Sequence, residues 1–330
     1  MNKALFLCLV FCMLLSCKKS EEKALASASG KINNISVIID DQLWNGEIGD
    51  SIRNKFASPI TGLSQEEPLF TINQYPVKLL EGFMTNSRNI LVVKKDRDEV
   101  FKVVSDEYAK SQNVFHISGR TVPEIISILE KNAPAMIRKM HQTEIEETQK
   151  QIDTALLDNK KITKKFGITL DVPSNYRYAM QRDKFIWLKK EMISGNMSIL
   201  IYAVPAKCLQ KNNDAIRNIV NMRDSIGNLY IRGTVPDSKM ITEQAYAPYV
   251  TNITLEKRKA FETRGTWELQ NDFMSGPFIN YAIMDKPNKR ILVIEGFCYA
   301  PSKEKRDLMH ELEAIIKSVK ILKRTNKPQE

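Results

Sequence analysis

The sequence FINYAIMDKPNKRILVIEGFCYA, residues 278–300, indicates the fold class. It contains two apolar runs of strand length, 278–284 and 290–300, and both are rich in β-branched and aromatic residues. The residues between them, 285–289, are Asp, Lys, Pro, Asn and Lys, which favour a turn. Two strands joined by so short a connection pair antiparallel. We therefore predict a β-hairpin here, within a larger antiparallel sheet.

More strands and two helices are predicted around this hairpin, in the second half of the chain. Residues 166–172 alternate apolar and polar side chains, which is typical of a half-buried strand. Apolar runs of strand length also lie at 184–189, 197–204, 249–255 and 265–269. Apolar residues at helical spacing predict one helix over 215–226, ended by Gly227, and another over 308–319, capped by Ser302.

The first half of the chain also combines strands with helices. Strand-length apolar runs lie at 35–39, 89–93 and 114–117. A helix with Asp41 as its N-cap is predicted by the four-residue spacing of Trp44, Ile48, Ile52 and Phe56. A second helix follows the capping box of Thr121 and Glu124. We expect Pro134 to kink or split this helix, because proline donates no backbone hydrogen bond.

These elements predict an α+β fold, a mainly antiparallel sheet packed by amphipathic helices. The pattern also allows two related α+β halves, at 32–160 and 161–322, followed by a basic tail at 323–330. Residues 57–76 are rich in turn formers and predict an extended, exposed connection. The polar stretch 141–161 indicates either a largely solvated helix or the connector between the halves.

Composition excludes several classes of protein. The chain has 330 residues, of which 43% are hydrophobic and 27% charged, with 13 Gly and 13 Pro. These fractions exclude a collagen-like, low-complexity or wholly disordered chain. Beyond residue 16 no apolar run approaches the ~18 residues of a membrane-spanning helix, which excludes a polytopic membrane protein. The length allows one large domain or two modest ones.

The N-terminus predicts export and lipid attachment. Lys3 precedes an apolar stretch, 4–15, that is too short for a stable transmembrane anchor. The stretch ends in Leu-Leu-Ser-Cys at 14–17, which resembles the lipobox of bacterial lipoproteins. The resemblance implies cleavage after a signal peptide, 1–16, and acylation of Cys17. The alternative is an ordinary secretory signal that happens to contain cysteines.

Lipid on Cys17 would attach the protein to a membrane, with residues 17–31 as a flexible tether. Lys18 is not the acidic residue associated with inner-membrane retention, so we expect an outer-membrane lipoprotein of the cell envelope, facing either the periplasm or the surface. The formal charge of +10 accompanies no nucleic-acid-binding motif, and we expect no nucleic-acid partner. An envelope protein or a glycan is the partner class that this location favours.

Four further motifs resemble the DUF4837 family of Bacteroidetes lipoproteins. They are IDDQLWNGE at 39–47, QEEPLF at 65–70, RGTWE at 264–268 and EGFCYAP at 295–301. The resemblance spans nearly the whole mature chain. It implies a lipoprotein of the cell envelope, and it supplies no catalytic residue.

The candidate binding residues are Arg264, Trp267, Glu268, Glu295 and Trp44. Glu295 lies on an apolar strand face, where a carboxylate needs a partner such as Arg264 or another basic residue. With Trp267 as an aromatic wall, these residues would form a polar pocket, whereas the alternative is a structural ion pair between strands. Both Trp267 and Trp44 are able to stack on sugar rings, although tryptophan is more often core.

The sequence predicts no metal site, no cofactor and no catalytic constellation, because it lacks HExxH, GxSxG, Walker A and GxGxxG motifs. Cys208 and Cys298 remain after the signal peptide and Cys17, and whether they pair is open. The favoured hypothesis is a lipid-anchored binding or assembly module without catalytic activity. The alternatives are an envelope hydrolase that uses Glu268 and Glu295 as acid and base, and a carrier of a small apolar ligand.

Overall fold

A computed structural model describes residues 25–79, 85–209 and 214–322 of the chain. The predicted signal peptide, Cys17 and the basic tail at 323–330 lie outside these described residues. Part of the predicted tether lies within them, and there the backbone N–H groups of Ala28 and Ser29 donate to the carbonyl oxygens of Lys110 and Asn86. No helix of the described residues is long and apolar enough to cross a membrane.

The first half is a five-stranded sheet with helices on one face. Its strands are β1 (Asn34–Ile38), β2 (Thr71–Tyr75), β3 (Asn89–Lys95), β4 (Val100–Ser105) and β5 (Asn113–Gly119). Their order is β2-β1-β3-β5-β4, and every pair is parallel except β4 with β5. The helices are α1 (Asp41–Trp44), α2 (Glu47–Phe56) and α3 (Val122–Ile152). The core lies between the sheet and the helices α2 and α3.

The helix predicted after Asp41 is divided into α1 and α2. Gly46, between them, has an extended backbone, and Gly49 lies so close to α1 that a Cβ there would be 1.8 Å from the carbonyl oxygen of Trp44. The two glycines therefore allow a sharp turn between short helices. The stretch 57–76, predicted as an exposed connection, contains β2 and the buried residues Glu67 and Phe70.

Helix α3 connects the two halves. It begins with the predicted capping box, in which Thr121 Oγ1 accepts from the Glu124 N–H and the Glu124 carboxylate accepts from the Thr121 N–H. The helix continues past Pro134, which lies on its exposed side. Water can there hydrogen-bond to the backbone carbonyl oxygen that receives no N–H from this proline. Its last turns extend through part of the polar stretch 141–161 and bury Ile145 in the core of the second half.

The second half is an antiparallel sheet that curls into a half-barrel. Its path is β10-β12-β13-β14-β9-β8-β7, and β11 also pairs with β12. The strands are β7 (Arg177–Arg182), β8 (Phe185–Met192), β9 (Gly195–Pro205), β10 (Lys239–Thr242), β11 (Tyr249–Leu255), β12 (Arg258–Gln270), β13 (Ser275–Asp285) and β14 (Arg290–Tyr299). A separate small pair joins β6 (Ile168–Thr169) to β15 (Lys320–Ile321). The predicted hairpin at 278–300 is β13–β14, with Phe278 opposite Phe297.

Helices cover both faces of this sheet, and the predicted α+β class is confirmed. The helices are α4 (Lys160–Phe166), α5 (Ala215–Tyr230) and α6 (Arg306–Lys317). Helix α6 packs on the face that carries Gly296, where a Cβ would lie 2.8 Å from Leu312 Cβ. Helix α5 packs on the opposite face with Phe278 and Phe297.

Two predicted helix boundaries are wrong. Helix α5 continues through Gly227 to Tyr230, and the glycine is needed for packing, since a Cβ there would lie 2.6 Å from the Met240 carbonyl oxygen. Helix α6 begins at Arg306 and not after Ser302. Its first amides donate to the buried carboxylate of Glu67, which comes from the first half.

Candidate functional site

A cleft of about 260 Å³ lies where the two halves meet. Helix α3 contributes Ile137, Arg138 and His141 to its lining, helix α6 contributes Met309, His310 and Glu313, and strand β12 contributes Arg264. The loop before β2 adds Ile60, Leu69 and Phe70 as an apolar wall. The cleft therefore combines charged groups on one side with an apolar surface on the other.

The carboxylate of Glu313 is the centre of the charged side. It is 2% exposed and binds Arg264 Nη2 at 2.8 Å, His141 Nε2 at 3.0 Å and Lys317 Nζ at 2.6 Å. Burial alone would raise the pKa of Glu313, but Arg264 and His141 outweigh it and hold that pKa well below its usual range. Glu313 is therefore ionised, and its charge fixes the groups around it.

Arg264, a predicted binding residue, is held in place by two carboxylates. Its Nε binds Glu262 Oε1 at 2.7 Å, in addition to the bond from Nη2 to Glu313, and Glu262 also accepts from the Tyr281 hydroxyl. Burial opposes the charge of the guanidinium, but Glu313 and Glu262 outweigh it and raise the pKa of Arg264 above its usual range. The third nitrogen, Nη1, takes no part in these bonds. It is the part of Arg264 that a ligand in the cleft would meet.

A buried histidine lies beside this network. His310 is 5% exposed, its Nε2 is 3.1 Å from Thr148 Oγ1, and its ring contacts that of His141 edge to face. Burial, with a further contribution from His141, lowers the pKa of His310 to about 4. His310 is therefore neutral at pH 7.

Arginines outnumber acids in the lining of the cleft. Arg138 is exposed and makes no ion pair with any residue that the structure describes. Arg306 donates from Nη1 to Thr71 Oγ1 at 3.0 Å and pairs with Asp307. Glu313 is the only acid among the lining residues of the described chain. The arrangement suits a small ligand with an anionic group and an apolar body.

Glu295 and Arg264 are not partners. Glu295 is buried on the sheet face that packs on α5, where it binds Arg223 Nε at 3.0 Å and Asn280 Nδ2 at 2.8 Å. Burial raises the pKa of Glu295, although Arg223 and Asn280 oppose that rise. Arg264 lies on the opposite face, because its partner in the ladder is Ile279 whereas Thr263 is aligned with Asn280. Glu295 therefore belongs to a structural ion pair with another basic residue, one of the two interpretations left open by the sequence.

The other predicted residues lie outside the cleft. Glu268 is on the sheet face opposite to Glu295, so the two carboxylates do not flank a common space. Trp267 is buried in the core, and its indole N–H donates to the Cys298 carbonyl at 3.2 Å. Trp44 packs in the first half beneath the Arg53 guanidinium, 4.5 Å from the ring centre. Of the predicted binding residues, only Arg264 lines the cleft.

The sequence reasoning missed His141, His310 and Glu313. A signal was present in α6, where His310, Glu313 and Lys317 recur at three- and four-residue spacing along one stripe of the helix. This signal can be interpreted only from the tertiary structure, in which strand β12 and helix α3 face the stripe.

Both Cys208 and Cys298 are free thiols, and burial raises the pKa of Cys298 to about 12. Within the described ranges, no group of three or more metal-ligating side chains is suitably placed to hold a metal ion.

These features define a two-part α+β protein with a charged cleft between its parts. Residues 155–318 match DUF4837, a domain of unknown function, and through them the chain belongs to the DUF4837 family. Residues 28–153 match a second domain of unknown function, DUF8532. The family predicted from the motifs is confirmed for the second half, while the motifs at 39–47 and 65–70 lie in the DUF8532 match.

Two solved structures show a distant similarity to the chain. The Saccharomyces cerevisiae Ran-binding protein Mog1p is 10% identical, over 47% of this chain and 90% of that chain, with a TM-score of 0.31. A mutant of protein Mog1 is 11% identical, over 48% of this chain and 92% of that chain, also with a TM-score of 0.31. Similarity at this level carries no argument about function. No curated protein sequence matches the chain.

Proposed function

We propose that the protein is a lipid-anchored component of the bacterial cell envelope that binds a ligand without catalysing a reaction. The lipobox at 14–17 supports attachment to the outer membrane through acyl chains on Cys17. More than one acyl chain makes such anchoring stable, because each buried methylene contributes about 0.8 kcal/mol. The ligand site in this proposal is the cleft between the two halves.

The observation that carries the binding proposal is the fixed position of Arg264. Two carboxylates hold this side chain, so a ligand that binds Nη1 does not have to order it. Arg138 adds an unpaired positive charge to the same cleft, and Phe70 and Met309 supply apolar contacts. The ligand class is therefore a small molecule with a carboxylate or phosphate group on an apolar body. The alternative function, a carrier of a small apolar ligand, would use the same cleft. The hydrolase alternative lacks support, because Glu268 and Glu295 lie on opposite faces of the sheet.

Titration calorimetry with phenyl phosphate tests this proposal. Benzyl alcohol, which has the ring without the charge, is the matched ligand. We expect phenyl phosphate to bind more tightly, and Arg138→Ala to weaken its binding by about tenfold, because one charge-assisted hydrogen bond is lost. Lys139→Ala removes the same charge from the next position of α3, where the side chain does not line the cleft. Equal loss in both variants, or equal binding of the two ligands, would reject the cleft as an anion site.

Metabolic labelling with a fatty-acid probe tests the anchor. We expect label on the wild-type chain and none on Cys17→Ala. Protease treatment of intact cells then distinguishes a surface-facing protein, which is cut, from a periplasmic one, which is protected. A wild-type chain without label would show that the lipobox interpretation is wrong.

A further inference from the structure

Two neighbouring hairpin turns in the second half expose apolar side chains completely. Ile193, in the turn between β8 and β9, has a relative exposure of 103%, and Phe273, in the turn between β12 and β13, has 104%. The other large apolar residues on the described surface are at least partly covered by neighbouring residues, whereas the side chains of Ile193 and Phe273 are not covered at all. They are the most exposed of the large hydrophobic side chains that the structure describes.

Both turns lie at the same end of the curled sheet. Strand β8 ends at Met192 and β9 begins at Gly195, which is beside the end of β14 in the antiparallel ladder. Strand β13 begins at Ser275, beside that same end of β14. The two turns are thus separated by about three strand spacings, or roughly 15 Å along the sheet.

A third apolar residue lies at this end. Val235, which is 43% exposed, belongs to the loop that leads into β10. Gly233 of this loop packs against the turn that carries Phe273, because a Cβ at Gly233 would be 2.4 Å from Asp272 Oδ2. We call Ile193, Val235 and Phe273 the apolar tips.

The turns do not need these residues for their own geometry. The positive φ angles are taken by Gly195, at 132°, and by Asn271, at 66°, which are residue types suited to them. Turn positions otherwise favour small polar residues, and a fully exposed Ile or Phe is unfavourable in water. Folding therefore gives no account of Ile193 and Phe273, and their exposure points to an interaction outside the chain.

We infer that the apolar tips insert into the interfacial layer of the phospholipid bilayer to which the protein is anchored. This inference rests on the proposed lipid anchor. Protruding side chains on separate turns suit a soft bilayer, whereas a protein partner needs a continuous complementary surface. The tips would fix which end of the protein faces the membrane, while the lipid supplies the attachment.

The course of the chain agrees with this orientation. Ile32, near the start of the described chain, and Lys190, near the end of β8, line one surface pocket. Ile32 thus lies close to the hairpin that carries Ile193, while Ser27 and Ser29 pair with Lys110 and Ser87 of the first half. Eight residues, 17–24, connect the described chain to the proposed anchor, and they can span at most about 28 Å. An anchor on Cys17 would therefore keep the body near the membrane.

The test uses the lipidated full chain on vesicles of phospholipid with brominated acyl chains, which quench tryptophan on contact. The variant Phe273→Trp places a tryptophan at a tip. Phe101→Trp is the matched control, since Phe101 is exposed on β4 of the first half. Flotation of the vesicles, with Cys17→Ala for comparison, reports the anchor separately. We expect both tryptophan variants to float and only Phe273→Trp to show added quenching over wild type.

The remaining outcomes separate the two proposals. Flotation without added quenching in Phe273→Trp, or with equal quenching in Phe101→Trp, would overturn the inserted tips and leave the anchor standing. A chain that neither floats nor shows added quenching would overturn both. Added quenching of Phe273→Trp in the Cys17→Ala background would support insertion even without the lipid.

Discussion

Glu313 is the residue on which the geometry of the cleft depends, because three nitrogen donors share its buried carboxylate. Removing one partner of a buried ion pair leaves the other charge uncompensated, which typically costs about 3–5 kcal/mol. We expect Glu313→Gln to lower the free energy of unfolding in urea by that amount at pH 7. Glu304→Gln, at an exposed position just before α6, should leave it unchanged.

The same variant has a defined pH dependence. The pKa of Glu313 in the folded protein is below the 4.5 of an unperturbed glutamate, so its stabilising contribution is complete above about pH 4.5. The contribution is lost as the pH falls through the folded-state value. The difference in unfolding free energy between wild type and Glu313→Gln should therefore shrink below pH 4.5. A difference that stays constant down to acid unfolding would contradict the assigned ion pairs.

The burial of His310 in its neutral form lowers the stability of the fold as the pH falls from 6.5 to about 4. Its pKa is about 4 in the folded protein and 6.5 in the unfolded chain, so the unfolded chain binds the proton first as the pH falls. We expect the wild type to lose about 3 kcal/mol relative to His310→Gln between pH 6.5 and 4, since each pKa unit corresponds to about 1.4 kcal/mol. Urea unfolding at each pH measures this. Parallel pH profiles for the two proteins would show that His310 is not held neutral.

Single residues also show how far sequence reasoning reaches at a site. The need for a partner at Glu295 was predictable, because the residue lies in an apolar strand. The identity of the partner was not, since Arg223 is 72 residues away on a helix whose face is set by packing. Arg264 was identified as a candidate, but its two acidic partners come from its own strand and from α6. The need of a buried charge for a partner can be inferred from its neighbours in the sequence, whereas the identity of the partner depends on the tertiary fold.

At the level of elements, the ends of α3 and α6 show the same contrast. Thr121 and Glu124 cap α3 from positions three residues apart, so the sequence predicts that boundary. Helix α6 is capped by Glu67, 238 residues earlier, and the sequence therefore favours the wrong residue, Ser302. Strands show the same difference between pairings that are local in sequence and pairings that are not. The hairpin β13–β14 is local and was predicted, whereas β2 pairs with a strand across two helices and was missed.

The cap at Glu67 predicts a specific loss of stability. Its carboxylate accepts from the N–H groups of Lys305 and Arg306 at 2.7–3.0 Å, at the end of α6 where the helix dipole favours negative charge. We expect Glu67→Gln to lower the free energy of unfolding by about 1–2 kcal/mol in urea. Glu66→Gln, at the adjacent exposed position, is the matched control and should have no effect. Equal losses would mean that the bond to α6 contributes nothing.

At the level of the whole molecule, helix α3 packs in the cores of both halves. The sequence indicated two halves that meet near residue 160, and the two family matches meet between residues 153 and 155. The polar stretch that begins at residue 141 left their connection open. Its buried side chains explain why: Glu144 binds Arg88 and Asn89 of the first half, and Ile145 packs in the second. Polar residues here serve an interface whose two sides are distant in sequence.

This interface predicts cooperative unfolding of the two halves. Ile145 is buried in the second-half core but belongs to a helix whose Leu129 is buried in the first. Truncation of either residue to Ala removes core contacts worth about 2–5 kcal/mol. If α3 couples the sheets, Ile145→Ala and Leu129→Ala will each lower the opening free energies of β3 and β14 amides by the same amount in native-state hydrogen exchange. A loss confined to β14 in Ile145→Ala, and to β3 in Leu129→Ala, would show that the halves open independently and that the cleft between them is not fixed by a common fold.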